Sequence, residues 1–270
     1  MTDTQYRIGI DVGGTFTDLV AVDEAGAVTF AKSPSTPQDQ SIGVLEGLNR
    51  LAERLAISRD ALLSRTDRIV HGTTVSTNAL LERKGAKVGL LTTEGHRDVL
   101  EMREGLKPGR YDVRMPAEPP LIPRDLRFGV KERMRADGSV ETPLDQASLA
   151  VAIEGMKAAG VTSVAVCYMH AYRDRSHEEE TRRALAEAMP EAYVSLSSEV
   201  FPQIKEYERV STTVVNAYVG PIVERYLGRL ETRLKENGYD GPVLIILSHG
   251  GVAPISEAVR LAAATVLSGP

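Results

Sequence analysis

Residues 8–24 read IGIDVGGTFTDLVAVDE: an apolar strand ends in Asp11, turns at Gly13 and Gly14, and resumes after Thr15 as a second strand carrying Thr17 and Asp18. These residue types at this spacing suit a phosphate. Glycines at 13 and 14 leave the backbone bare, so a phosphate can approach exposed N–H groups. Thr15 and Thr17 offer hydroxyl donors, expected on the same side, and Asp18 adds a second acid to the region. Asp11, at the end of its strand, is placed to hold a hydrated Mg²⁺, a hard cation that prefers carboxylate and water oxygens. Gly-Gly is also the turn that a tight hairpin needs in any case. An ordinary hairpin has no use for a carboxylate before its glycines and two hydroxyls after them.

A second concentration of polar groups is HGTTVSTNALLE, residues 71–82. Here a strand end meets a helix start crowded with hydroxyls, a setting that suits an anion or a polar substrate. His71 is a candidate acid or base, Thr74 a second catalytic candidate, and Thr73 and Asn78 candidate substrate contacts. Threonine and serine also cap helices with no ligand present. SHGG, residues 248–251, follows the last apolar strand and offers Ser248 and His249, although a histidine satisfied within its own turn accounts for the same residues. His96 lies in the polar loop EGHRD and is a further substrate-side candidate. Arg110, Tyr111 and Arg114 form either a substrate loop or a surface loop packed by its own side chains. No histidine pair has zinc-like spacing with a cysteine, so no structural zinc is expected.

The elements that must position these residues follow from pattern. YRIGIDV, FTDLVAVD and AVTFAKS read as a β-meander. Thr36 and Pro37 signal a helix start, and Leu45, Leu48, Leu51 and Leu55 mark its apolar face. Strands are predicted at 68–72, 87–93, 161–169, 192–197 and 242–248, and helices at 73–85, 142–159, 176–189, 204–218 and 221–236. Residues 127–134 and 139–142 read as a hairpin, and 105–124 as a long ordered loop. Alternating strands and helices indicate an α/β protein whose sheet is mostly parallel, with antiparallel additions at its edge. The chain has 270 residues and a formal net charge of −5, which argues against a nucleic-acid footprint or a basic membrane surface. No apolar run is long enough to span a membrane, and the N-terminus lacks the pattern of a signal peptide. A single cysteine, Cys167, cannot form an internal disulfide, which points to the cytoplasm.

DVGGTFTD resembles the first phosphate motif of the actin, sugar-kinase and Hsp70-like ATPase fold. More specifically, the chain is similar to the hydantoinase A and 5-oxoprolinase family, which includes acetone and acetophenone carboxylase subunits. HGTTVSTNALLERKGAKVGLLTTEGHRD, RYDVRM and EYERVSTTVVNAYV carry the resemblance in the same order along essentially the whole chain. At residues 247–251 members of the family usually read Gln-Ser-Asn-Gly-Gly, so Leu247 and His249 are departures. The resemblance implies a mixed, mostly parallel sheet flanked by helices, with the second half of the fold incomplete. An N-terminal family domain is expected over 1–200 and the beginning of a second over 201–270. It further implies ATP and Mg²⁺ as cofactors and hydrolysis of a cyclic amide, of hydantoin or 5-oxoproline type, through phosphorylation of the carbonyl oxygen. ATP-dependent ketone carboxylation, small-molecule kinase activity and a non-catalytic nucleotide-binding module are the alternatives. A B-type subunit, separate or fused, is the expected partner. A second Asp-Gly-Gly-Thr hairpin and the adenosine pocket are expected beyond residue 270, so this chain is not expected to turn over ATP alone.

Overall fold

The computed structural model describes residues 4–36, 38–105, 109, 111–116 and 119–268. Strands β1 (Tyr6–Val12), β2 (Phe16–Asp23) and β3 (Val28–Pro34) form the meander, followed by helices α1 (Gln40–Arg54) and α2 (Arg59–Ser64). Then come β4 (Thr66–Thr73), α3 (Val75–Leu81), β5 (Val88–Thr93), α4 (Val99–Met102), β6 (Arg127–Val130), β7 (Arg133–Met134) and β8 (Val140–Thr142). The remainder is α5 (Gln146–Ala158), β9 (Ser163–Cys167), α6 (Ser176–Ala188), β10 (Tyr193–Leu196), α7 (Ser197–Val200), α8 (Glu206–Glu236), β11 (Val243–Ile246), β12 (Val252–Pro254) and α9 (Ile255–Arg260).

Contacts group the chain into two compact units, one of residues 1–82 with 222–270 and one of residues 83–221. This spatial grouping follows a different cut from the sequence division expected at residue 200. The first unit holds a six-stranded sheet in the order β12-β11-β4-β1-β2-β3. Its middle is parallel, β11 to β4 and β4 to β1, and antiparallel partners close both sides. Along β1, Tyr6, Ile8, Ile10 and Val12 are buried while Arg7 and Asp11 are exposed, the alternation of a strand with one face on a core. Helix α1 covers β2 and β3 through Val44, Gly47, Leu48 and Leu51, whereas Leu45 and Leu55 are only half-buried.

The second unit holds a four-stranded, wholly parallel sheet in the order β10-β9-β5-β6. Every residue of β5 and β9 is buried, as expected of strands covered on both faces. The hairpin expected over 127–142 is divided. Its first strand, β6, joins the sheet beside β5, and only β7 pairs with β8.

Several helix boundaries depart from expectation for identifiable reasons. Helix α1 starts at Gln40 because Asp39 caps it, accepting from the N–H of Ser41, while Thr36 donates to the Asp39 carbonyl; Pro37 lies outside the described residues. Helix α3 stops at Leu81 rather than running to Gly85. Arg83 has a left-handed φ of 50°, and Gly85 is instead where the Tyr218 ring packs, 2.1 Å from where a β-carbon would lie. Ser176 does not cap α6, and its own N–H is held by the Asp174 carboxylate at 2.8 Å.

The largest departure is α8, one helix of 31 residues where two were expected to meet at Pro221. A mid-helix proline frees the carbonyl four residues back and normally breaks the helix. Here that carbonyl, of Ala217, accepts from the buried Ser163 hydroxyl at 2.6 Å, and the next, of Tyr218, accepts from the Ala86 N–H at 2.9 Å. The orphaned groups are satisfied by strand ends, so the helix continues. Replacing Ser163 by alanine should leave the Ala217 carbonyl buried without that donor and cost about 1–3 kcal/mol of stability. Urea unfolding measures it; an unchanged midpoint would show that the serine does not support the helix.

Candidate functional site

Strands β1, β4 and β11 run parallel, and their carboxyl ends form one edge. From that edge emerge the Gly13–Gly14 turn, the Thr74–Asn78 helix start and the Ser248–His249 turn. In open α/β sheets this is the edge at which ligands bind. The sequence-predicted residues from these three segments therefore do converge on one region of the unit.

At the hairpin, Gly13 N–H closes the turn onto the Phe16 carbonyl at 3.0 Å. Neither Gly13 nor Gly14 has a left-handed φ, but a β-carbon at Gly13 would lie 3.2 Å from the Phe16 carbonyl, so the tight turn itself favours glycine at that position alone. A β-carbon at Gly14 would meet nothing within 4 Å. What the missing side chain leaves is open space in front of the backbone. The N–H groups of Gly14 and Thr15 have no hydrogen-bond partner among the described residues. Ser35 braces the turn from behind, donating its hydroxyl to the Gly13 carbonyl at 2.8 Å and its N–H to the Thr15 carbonyl at 2.9 Å. That brace was not foreseen, because nothing local to Ser35 marks it.

The two acids face each other across β1 and β2, Asp11 opposite Asp18. Lys32 lies 3.0 Å from Asp18 and over the Phe16 ring, so Asp18 already has a counter-charge. Among the described residues Asp11 has no ion pair of this kind. Partial burial and then the Asp18 charge raise its pKa above the ordinary carboxylate value. Gly72 of β4 sits beside it, and a β-carbon there would lie 3.2 Å from Asp11 Oδ1. A carboxylate held beside a like charge, next to free N–H groups, is suited to a hydrated divalent cation. Among the described residues no three of histidine, cysteine, aspartate or glutamate gather as a metal cage. A cation at Asp11 would therefore draw its other ligands from water and from a bound phosphate. These residues fit Mg²⁺ held through one carboxylate.

Other expectations change. Thr17 lies opposite Val12 and is fully buried, its hydroxyl 3.3 Å from that of Ser35. It points to the opposite face from Asp11 and is part of the packing. The expectation that Thr15 and Thr17 share a side fails for this reason. His71 is likewise on the buried face: it pairs with Ile10, while Gly72 pairs with Asp11. Its Nε2 lies 2.7 Å from the Tyr226 hydroxyl of α8, and it is wholly buried. His71 is buried on the core face, opposite to the face that carries Asp11, and its Nδ1 has no hydrogen-bond partner among the described residues.

The hydroxyls at the start of α3 are also committed. Thr73 is buried and accepts from the Val75 N–H; Ser76 accepts from Thr265, and Thr77 from the Leu267 N–H. Thr74 donates to the Val12 carbonyl at 3.2 Å and accepts from Asn78 Nδ2 at 3.3 Å. Only this half-buried Thr74–Asn78 pair remains beside the hairpin. Ser248 and His249 are exposed, and the His249 ring accepts from the Gly251 N–H within its own turn. His96 belongs to the other unit, where it meets Arg133. Tyr111 is exposed, and Arg110 lies outside the described residues.

Burial lowers the His71 pKa to about 4, from an ordinary 6.5, with the Ile10 carbonyl opposing. The folded state holds the ring neutral, so its contribution to stability is whole above pH 6.5 and is lost as pH falls toward 4. The swing is about 3 kcal/mol. His71→Gln should abolish that part of the acid destabilisation, read as the difference in unfolding free energy between pH 7 and pH 4. Equal losses in variant and parent would refute the assignment.

The "Hydantoinase/oxoprolinase N-terminal region" family matches residues 7–189, and the "Hydantoinase/oxoprolinase" family matches residues 209–270. Caprolactamase subunit alpha of Pseudomonas jessenii is 41% identical over 100% of this chain and 39% of its own length. The crystal structure of that organism's ATP-dependent caprolactamase superposes with a TM-score of 0.90 over 98% of this chain and 39% of the solved one. Acetophenone carboxylase gamma subunit of Aromatoleum aromaticum is 35% identical over 94% of this chain and 36% of its own length. The nucleotide-free acetone carboxylase structure, 27% identical, superposes with a TM-score of 0.87 over 98% of this chain and 39% of that one. The chain thus spans about two fifths of the length of these relatives. Its α/β fold of mixed, mostly parallel sheets flanked by helices is theirs, and by sequence and structure alike the chain belongs to the hydantoinase/oxoprolinase family.

Proposed function

We propose that this chain supplies the first phosphate-binding hairpin of an ATP-dependent enzyme that opens a cyclic amide. The observation that carries the reading is the hairpin itself: two unpartnered N–H groups, open space at Gly14 and an unneutralised Asp11 on one edge. Gly14 and Thr15 would hold terminal phosphate oxygens, and Asp11 would hold Mg²⁺ through water. The ion would neutralise phosphate charge as the γ-phosphoryl group leaves. Thr74, Asn78, Ser248 and His249 are polar side chains at this edge from which a substrate contact would come.

The chemistry follows from the amide. Its nitrogen donates into the carbonyl and makes it a poor electrophile. Transfer of the γ-phosphoryl group to the oxygen, with ADP leaving, would give an imidate carbon that water attacks. The C–N bond would then break to free the amine, and a second water would release phosphate from the resulting acyl phosphate. Phosphoryl transfer asks of the protein mainly position and charge stabilisation, which a rigid hairpin with preset donors provides. Among the described residues no helix is long and apolar enough to cross a membrane, and a cytoplasmic enzyme working with a B-type subunit is the setting we propose. A second reading, ketone carboxylation, is favoured by the likeness to acetophenone carboxylase and acetone carboxylase. Both readings use the same hairpin and differ in the acceptor oxygen.

The protein carrying this chain, assayed with its B-type subunit, should release ADP in response to 5-oxoproline, a hydantoin or caprolactam. Dependence on acetone or acetophenone with bicarbonate would select the second reading, and no ATP dependence with any of them would reject both. Gly14→Ala should fold with an unchanged melting temperature, since its β-carbon enters empty space, yet bind nucleotide at least about tenfold more weakly. Undiminished affinity would make the glycine a mere turn residue. Asp11→Asn should lower ATP-dependent turnover by about two to three orders of magnitude. It should unfold no earlier than the parent, because it relieves the repulsion from Asp18.

A further inference from the structure

The second unit carries a group of basic residues that the hairpin chemistry does not use. Its sheet is parallel throughout, so the carboxyl ends of β5, β6 and β9 form one edge. The chain that follows these strands brings His96, Arg133 and His170 to that edge. Arg133 Nη1 lies 3.4 Å from His96 Nε2. His170, at a left-handed φ of 57°, lies with Nδ1 3.4 Å from the Tyr172 hydroxyl. Over the Tyr172 ring, at 5.4 Å, stands the guanidinium of Arg209 from the first turn of α8.

Arg209 is the anomaly. It is only 2% exposed, and its Nε and Nη1 have no hydrogen-bond partner among the described residues. A buried guanidinium ordinarily ends in carboxylates or carbonyls, as Arg127 does here on the Ile122 carbonyl and Glu101. A ring face offsets only part of the lost hydration. Two acids, Glu132 and Glu206, act on His170. Glu132 is committed: it accepts from the Thr93 hydroxyl, and its other oxygen lies 2.9 Å from His177 Nδ1. Glu206 is exposed one turn before Arg209. Burial first, then the charges of Arg133 and Arg209, lower the His170 pKa, and Glu206 and Glu132 only partly oppose them. The field at His170 is therefore positive. A concavity of about 440 Å³ lies alongside, lined by His96 and Met169, by the cations Arg103 and Lys205 and by the acids Glu104, Glu206 and Glu208.

We propose that the carboxyl end of this four-stranded sheet binds a small oxyanion, carboxylate or phosphate, held by Arg209 and Arg133 around His170. The oxyanion completes the hydrogen bonding of Arg209 and balances the charge that the fold has gathered there. The site consists of residues 83–221 alone and does not depend on the reading of the Gly13–Gly14 hairpin. It also gives His96 a partner chemistry that its sequence context only suggested.

The test uses this chain and its histidine ring signals in NMR, titrated with sodium acetate and with inorganic phosphate against sodium chloride at constant ionic strength. Saturable shifts at His170 and His96 beyond those in chloride are expected, and the tighter of the two probes names the class as carboxylate or phosphate. Shifts confined to His249, or none beyond chloride, overturn the proposal while leaving the hairpin reading untouched. Arg209→Met, which removes the orphaned charge and keeps the volume, should weaken binding at least tenfold while melting no lower than the parent. Undiminished binding by Arg209→Met overturns the proposal. Should that variant not fold, Arg133→Gln, at a half-exposed position, should weaken binding severalfold, and unchanged affinity there overturns it equally.

Discussion

In the parallel pairing of β1 with β4, Ile10 lies opposite His71 and Asp11 opposite Gly72. That register decides what the first unit can do. Successive strand residues point to opposite faces, so the pairing sends one set of side chains into the core and the next toward solvent. A slip by one residue would bury the Asp11 carboxylate under α8 and bring His71 outward. The core side therefore holds the register firmly: Ile8, Ile10, Val12 and Ile69 are each at most 3% exposed. Hydrophobic packing on one face thus aims a carboxylate on the other, at the edge where three strand ends meet. Gly72 completes the arrangement by leaving the Asp11 side chain room.

Both sites described here leave polar groups unsatisfied. The hairpin has two free N–H groups and an aspartate opposite a like charge; the second unit has a buried arginine with two unpartnered donors. Buried polar groups are normally paired, and departures concentrate where a ligand supplies the missing partner. The two departures have the same sign of demand. Free N–H donors and an unpaired guanidinium each call for oxygen acceptors. The Glu178 carboxylate shows such a demand met internally, accepting from Ser197, from the Ser198 N–H and from the Tyr168 N–H, whereas His71 Nδ1, Ser198 Oγ and Gln40 Oε1 are also left without a partner among the described residues.

Much of the first site was legible in the sequence because its information is local. Asp11, Gly13 and Gly14 lie within four consecutive positions, and a strand-turn-strand pattern puts them at a tip with no tertiary knowledge required. His71 and Thr17 were misplaced for the opposite reason. Which face of a strand is buried depends on what packs there, and the Tyr226 hydroxyl that receives His71 comes from 155 positions away. The hydroxyls of Ser76 and Thr77 looked surplus in the sequence because their partners, Thr265 and Leu267, are equally remote. Composition near a helix start can suggest a ligand, but it cannot show that a distant segment has already taken its place.

Helix α8 shows the same limit acting on backbone and side chain together. Pro221 signals a break by a sound local rule, and the rule is overridden because Ser163 satisfies the freed Ala217 carbonyl while Ala86 holds the neighbouring Tyr218 carbonyl. Within the stretch EYERVSTTVVNAYV, charged and apolar residues alternate at helical spacing, and nothing in that pattern singles out Arg209 from Glu206 and Glu208. In the fold its neighbours Val210 and Val214 are buried, Thr213 donates back to the Arg209 carbonyl at 2.6 Å, and the arginine is drawn under with them. Spacing alone cannot separate a snorkelling arginine from an interred one, since both sit at the margin of an apolar stripe. The distinction rests on the count of donors left without acceptors, which only the folded chain reveals.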